Sequence, residues 1–161
     1  DRVEALHALQ SLGYQIGTGC IIGLPGQGIA DLAGDIALAQ QLDVDMAAFG
    51  PFVPHPDTPL ADAPKTEVEL ALRVIAAARL SLGPVHIPAT TAFDAIAPDG
   101  RKRALECGAN VIMANLTPAC YRDLYSVYPS ERAKNTVARI QALLNELGRP
   151  LAQDHGHSLR R

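Results

Sequence analysis

Two neighbouring threonines and a group of tyrosines are the side chains of this sequence best suited to bind a polar ligand. Thr90 and Thr91 end an apolar run, and their hydroxyls, with backbone amides beside them, can bind a carboxylate. Beyond them, Tyr121, Tyr125 and Tyr128 share one face if that stretch is helical. Threonine is also common inside strands and aromatic stripes usually lie in a core, so a structural role stays open.

A second apolar run is rich in glycine. Its residues at alternate positions share one face if the run is a strand, and they are Gly17, Gly19, Ile21 and Gly23. Glycine weakens a strand, so several on one face indicate that something flat or bulky approaches the backbone there. Tight core packing or a bent strand is the alternative explanation. The loop that follows lacks both the Walker lysine and the glycine spacing of a dinucleotide-binding turn, which excludes those two sites.

The remaining candidates for chemistry are a histidine, an aspartate and three cysteines. His55 and Asp57 lie in a loop with three prolines, where they can form an acid/base pair or only shape the turn, so no catalytic residue is assigned. Cys20, Cys107 and Cys120 form neither an even disulfide framework nor a close ligand pair. We therefore expect reduced thiols and no metal site within this chain.

Four strand–helix units must position these residues. Strands are predicted over residues 14–22, 46–53, 87–91 and 110–114, and helices over residues 2–12, 30–42, 66–82, 98–107 and 130–147. In the second helix the predicted inward residues are Leu32, Ala33, Ile36 and Ala39. Thr66 and Glu69 have the spacing of a capping box at the start of the third helix.

This alternation predicts an α/β fold with parallel strands and right-handed crossovers. Four units are half of an eight-stranded TIM-type barrel, in which active sites form from the loops after the strands. A doubly wound open sheet is the alternative. Residues 1–148 are predicted to form this half-barrel, and residues 149–161 a polar tail that frays.

Composition and charge limit the classes of function. Of the 161 residues, 48% are hydrophobic and 19% charged, which supports a large core and excludes intrinsic disorder. We find no apolar run long enough for a membrane span and no secretory leader, so a cytoplasmic protein that does not bind membranes is expected. Residues 101–161 hold 10 basic and 5 acidic side chains, but at helix-surface spacing and without interleaved aromatics, so nucleic acid is not an expected partner.

Several of these segments resemble a known family. Residues 19–23, Gly-Cys-Ile-Ile-Gly, are similar to the GxIxG strand of radical S-adenosylmethionine enzymes, whose glycine-lined surface accepts the adenosine moiety. Residues 50–60, 87–91, 108–113 and 121–125, in this order, resemble the HydE family of iron–iron hydrogenase maturases. The resemblance covers about residues 1–130 without an evident gap.

The resemblance implies a barrel related to biotin synthase that cleaves S-adenosylmethionine with a 4Fe-4S cluster and helps to build the dithiolate ligand of the hydrogenase. The implied partners are a small substrate with a carboxylate and other hydrogenase maturation proteins. The implied adenosylmethionine surface consists of Gly19, Ile21, Gly23 and Met46. The implied substrate pocket consists of Thr90, Thr91, Met113, Tyr125 and Tyr128.

The sequence also departs from the family. It has no CxxxCxxC motif and no cysteine after Cys120, so it resembles strands five to eight only, and the cluster ligands are expected in a missing N-terminal part. By itself the chain is expected to be inactive. A biotin synthase or methylornithine synthase relative is the nearest alternative, although the Thr90–Thr91 segment lacks the arginine of biotin synthase. A second alternative is a non-catalytic half-barrel that dimerises through its open sheet edges.

Overall fold

The computed structural model describes residues 1–118, 120–121, 136–158 and 160. Two strands and six helices are assigned within these residues. In chain order they are α1 (Arg2–Ser11), β1 (Gly17–Ile22), α2 (Ile29–Gln41), β2 (Met46–Pro51), α3 (Val68–Leu82), α4 (Ala92–Ile96), α5 (Gly100–Glu106) and α6 (Val137–Glu146). The predicted helix over residues 130–147 therefore begins at Val137, and residues 122–135 lie outside the described residues. The short helix α4 was not predicted.

The strands lie side by side in chain order, as in a barrel. β1 pairs in parallel with β2 from Gly17 opposite Met46 to Ile22 opposite Pro51. The third strand segment, residues 86–90, joins β2 through a parallel bridge between Met46 and His86. The fourth, residues 110–113, joins the third through a parallel bridge between Pro88 and Val111. The doubly wound alternative requires an order that reverses about a central crevice, and this order does not reverse.

The third and fourth strands are shorter than predicted, since each is reduced to isolated bridges. The Ile87 N–H donates to the side-chain oxygen of Asn110 at 2.7 Å instead of to a backbone carbonyl. Pro88 has no N–H to donate. A side chain and a proline thus replace ladder hydrogen bonds over residues 87–91, which is why no continuous strand forms there.

The core lies between the sheet and the helices. Ile22 and Phe49 of the strands are fully buried, and they belong to one cluster with Leu32 and Ile36 of α2. Ala33, predicted to face inward, is exposed. It lies about 100° around the helix from Leu32, outside the narrow stripe that Leu32, Ile36 and Ala39 form. The opposite face of the strands remains accessible, with Gly17, Gly19 and Ile21 exposed.

The predicted capping box at Thr66 and Glu69 is wrong. α3 begins at Val68 after Glu67, and the buried Thr66 hydroxyl contacts the ends of both strands instead. Glu69 forms an ion pair with Arg103 of α5. The spacing matches the sequence pattern of a capping box, but the hydroxyl has closer partners across the sheet.

The C-terminal tail contacts the N-terminal end of the strands. Ser158 is 5% exposed, and its N–H donates to the Gln15 side chain at 2.9 Å. The Arg160 guanidinium donates to the Asp43 carboxylate and to the Leu82 carbonyl. The expectation that the tail frays is therefore wrong for these residues. In the part of the chain described, no helix has the length and apolar character needed to cross a membrane.

Candidate functional site

The exposed face of the sheet forms a shallow apolar groove that is wide open to solvent. Its volume is about 560 Å³, and Gly17, Gly19, Ile21 and Met46 are among the residues that line it. Ile21 is 51% exposed and Met46 37% exposed, although both are large apolar side chains. Exposed apolar surface of this kind commonly marks a binding site. The structure thus brings together Gly19, Ile21 and Met46, and their role in binding stays a prediction.

Gly23 and Met46 lie at opposite ends of the strand pair, and Gly23 is not among the residues that line the groove. Met46 pairs with Gly17 at the start of β1, whereas Gly23 follows the last residue of the strand. Gly23 lies six positions after Gly17, which is roughly 20 Å along a strand at the usual rise per residue. The four residues predicted to bind adenosylmethionine therefore extend along β1 and do not cluster at its end.

Two of the glycines are required by the fold itself. A Cβ on Gly19 would lie 1.9 Å from the Ala48 carbonyl oxygen of the neighbouring strand. Gly23 has a φ of +83°, and a Cβ there would lie 2.4 Å from the Thr66 hydroxyl oxygen. Close strand packing, the alternative explanation left open by the sequence, accounts for both positions. The glycine spacing is therefore no evidence of a ligand, and the exposed apolar groove is the surface that a ligand would contact.

Thr90 carries an unusual hydroxyl. Its Oγ1 atom is buried and has no hydrogen-bond partner among the residues that the structure describes. It lies against Gly50 of β2, where an added Cβ would be 3.1 Å from Oγ1. Buried polar groups nearly always have a partner, and leaving one without costs about 1–3 kcal/mol. The hydroxyl of Thr90 is therefore a candidate contact for a ligand, and its role in binding stays a prediction.

The other predicted substrate residues lie around Thr90 or outside the described part. Thr91 is half-buried at the N-terminus of α4, and its side chain makes no capping hydrogen bond. Met113 is 55% exposed. It lies two residues beyond the Pro88–Val111 bridge, as Thr90 does, so the parallel register gives both the same face. The predicted Tyr125 and Tyr128 fall outside the described residues.

His55 and Asp57 form a turn. The Asp57 N–H donates to His55 Nδ1 at 3.2 Å, and the Thr58 hydroxyl donates to the His55 carbonyl oxygen at 2.9 Å. The Asp57 carboxylate is 87% exposed and 3.9 Å from the same ring nitrogen. Because Nδ1 accepts a backbone hydrogen bond in this turn, the arrangement favours the structural role over the acid/base role.

Two of the cysteines, Cys20 and Cys107, have a raised pKa and are therefore protonated thiols. Burial, followed by a hydrogen bond to Asp35 and the charge of its carboxylate, raises the pKa of Cys20 to about 12. Burial also raises the pKa of Cys107. Iron–sulfur clusters are bound by thiolates. Over the described ranges, no three His, Cys, Asp or Glu side chains are grouped so as to hold a metal. These residues therefore do not fit a four-iron cluster.

The residues of the groove fit the adenosyl group of S-adenosylmethionine better than the cysteines fit a cluster. The groove along β1 offers bare backbone at Gly17 and Gly19 and apolar side chains at Ile21 and Met46.

Sequence reasoning missed Gly50, Thr66 and Gln27, which contact Thr90 or the end of β1. Their contacts with the site reach across strands or a turn, and the local sequence pattern gives no signal of them.

No protein-family profile matches the chain. It is 44% identical over 161 residues to the FeFe hydrogenase maturase subunit HydE of Thermotoga maritima, and the match covers 97% of this chain and 46% of that protein. Among solved structures, methylornithine synthase (PylB) matches with a TM-score of 0.76 at 25% identity, over 94% of this chain and 45% of that one. The chain thus spans about half the length of both relatives. The resemblance to HydE and the fold class, part of an α/β barrel with parallel strands, are confirmed.

Proposed function

We propose that this chain is half of a radical S-adenosylmethionine enzyme that matures the FeFe hydrogenase. The 44% identity to HydE across almost the whole chain carries this proposal. The groove along β1 and the buried hydroxyl of Thr90 support it independently, because they provide an apolar surface and a polar contact on one face of the sheet. The complete enzyme acts on a small molecule with a carboxylate.

The groove along β1 binds the adenosyl part of S-adenosylmethionine in this proposal. When bound, that cofactor supplies the radical chemistry of the enzyme. Ile21 and Met46 provide apolar contact for the adenosyl group, and Gly17 and Gly19 let it approach the backbone. Burial of these exposed side chains excludes water from the groove. The 4Fe-4S cluster is bound by residues other than the described ones.

The Thr90 hydroxyl donates a hydrogen bond to the substrate carboxylate. Gly50 lets the Thr90 side chain pack closely against β2, and Met113 provides an apolar wall in the matching position of the next strand segment. Thr91 contributes a second hydroxyl, and Tyr125 and Tyr128 close the pocket. Other hydrogenase maturation proteins are the partners. A cytoplasmic location belongs to the same proposal and agrees with the three free cysteines.

A methylornithine synthase-like activity is the second candidate. It is favoured by the structural similarity to PylB, with its TM-score of 0.76 over 94% of this chain. The two candidates share the fold and the adenosyl groove and differ in the substrate held beside Thr90. The product formed therefore distinguishes them.

The test uses the complete protein, reconstituted anaerobically with iron and sulfide. We expect reductive cleavage of S-adenosylmethionine and activation of FeFe hydrogenase in a maturation assay, with no methylornithine formed. Formation of methylornithine without hydrogenase activation would replace the first candidate by the second. A stable dimer that neither binds nor cleaves S-adenosylmethionine would contradict both and support the non-catalytic half-barrel.

A further inference from the structure

Thr66 connects the C-terminal ends of the two strands. It is 6% exposed, and its hydroxyl donates to the Ile22 carbonyl oxygen at 2.5 Å while accepting from the Phe52 N–H at 2.9 Å. Its own N–H donates to the Phe52 carbonyl at 3.1 Å. The hydroxyl therefore acts as donor and acceptor at the end of the strand that forms the adenosyl groove.

The backbone of Gly23 rests on the Thr66 side chain. A Cβ on Gly23 would lie 2.4 Å from Thr66 Oγ1 and 3.1 Å from its Cβ and Cγ2. On the other side of the turn, the Gly23 N–H donates to Gln27 Oε1 at 2.6 Å, and Gln27 Nε2 donates to the Ile21 carbonyl at 3.0 Å. Thr66 and Gln27 thus hold the turn after β1 from two sides.

The Thr66 hydroxyl is not needed to pair the strands. The Phe52 N–H also donates to the Ile22 carbonyl at 2.8 Å, so that connection persists without Thr66. The Ile22 carbonyl belongs to the peptide unit that joins Ile22 to Gly23, and the Thr66 hydroxyl donates to it at 2.5 Å. Loss of the hydroxyl thus acts on the turn after β1 more than on the sheet.

We propose that Thr66 is a positioning residue for the adenosyl group. It fixes the orientation of Gly23 and of the end of β1, and through them the fit of Ile21 to the ligand. The proposal rests on the function proposed above, in which the adenosyl group lies along β1. Thr66 faces the turn and is not among the residues that line the groove.

The experiment compares three variants of the complete protein, Thr66→Val, Thr66→Ser and Thr66→Ala, with wild type. The affinity for S-adenosylmethionine is measured by calorimetry, and folding by the thermal midpoint. Thr66→Val should weaken binding at least fivefold, and Thr66→Ala should also weaken it, while Thr66→Ser, which keeps the hydroxyl, should stay within twofold. The KM for S-adenosylmethionine should rise in the valine and alanine variants with kcat little changed.

Thr66→Ala keeps the test decisive if the valine variant does not fold, because alanine only removes atoms and adds none. Equal affinity of wild type and a folded alanine or valine variant would overturn the proposal. So would an equal loss in all three variants, which would indicate that the methyl group or the packing matters and not the hydroxyl. Failure of the wild-type protein to bind S-adenosylmethionine would instead contradict the proposed function.

Discussion

Replacing Thr90 by valine should have opposite effects on stability and on substrate binding. Valine keeps the shape and β-branching of threonine and removes only the hydroxyl. In the described part of the chain that hydroxyl is buried and has no partner. An unpaired buried polar group costs about 1–3 kcal/mol, so the free energy of unfolding of the unbound protein should stay unchanged or rise by about 1 kcal/mol.

Substrate binding should weaken in the same variant. A hydrogen bond to a charged group contributes about 1.5–3 kcal/mol. Since about 1.4 kcal/mol corresponds to a tenfold change in affinity, the dissociation constant should rise roughly 10- to 100-fold. S-adenosylmethionine binding should be unaffected, because the groove that we assign to it is lined by residues of β1 and β2.

The assay uses the complete protein and two measurements on each variant. Urea denaturation gives the free energy of unfolding, and titration with a panel of small carboxylates, amino acids included, gives the affinity. Thr90→Ser, which keeps the hydroxyl, is the matched control and should bind as wild type does. A valine variant that is destabilised by more than 1 kcal/mol and binds normally would refute the reasoning, because the hydroxyl would then have a partner in the protein.

Three further predictions concern the strand, the cysteines and the tail. Gly19→Ala should destabilise the protein by at least about 1–3 kcal/mol in urea denaturation, because its Cβ would lie 1.9 Å from the Ala48 carbonyl; an unchanged midpoint would contradict this. Iodoacetamide at pH 8.5 should modify the exposed Cys120 and spare Cys20, whose pKa is about 12, as read by peptide mass spectrometry. Because the pKa of Cys20 is raised from 9.0 to about 12, its contribution to the free energy of unfolding is complete below about pH 9 and is lost as the pH rises towards 12. Equal labelling of both cysteines would contradict the raised pKa. Arg160→Ala should lower the thermal midpoint by about 2–4 °C through the loss of about 1 kcal/mol of tail contacts, and an unchanged midpoint would show that the tail does not stabilise the fold.

The regular part of the fold was predictable from local patterns. The periodicity of apolar residues located β1, β2 and the helices around them, because their side chains face one packed layer. The shortening of the third strand was not predictable. It depends on the Asn110 side chain taking the Ile87 N–H, a contact between residues 23 positions apart. Sequence alone shows an asparagine at a strand start and not which group it binds.

The same limit applies to the site. Thr90 could be proposed from its place at the end of an apolar run. The spacing from Thr66 to Glu69 matches a local capping motif and predicts a helix cap. In the structure the Thr66 hydroxyl instead binds the carbonyl of Ile22, 44 positions away. Gly50 begins a segment that resembles HydE, but its contact with Thr90 has no signal in the sequence, since it spans 40 positions and depends on the register of the sheet.

The structure separates two kinds of glycine on the accessible face of the sheet. Gly19 is needed because the backbone carbonyl of Ala48 occupies the place of its Cβ. A Cβ on Gly50 would have the Thr90 side chain as its nearest neighbour, with Oγ1 at 3.1 Å. The first glycine is explained by strand packing, whereas the second lets Thr90 pack against β2, with a buried hydroxyl that lacks a partner among the described residues. The proposed substrate contact therefore rests on the hydroxyl of Thr90 and not on the more recognisable glycine pattern of β1.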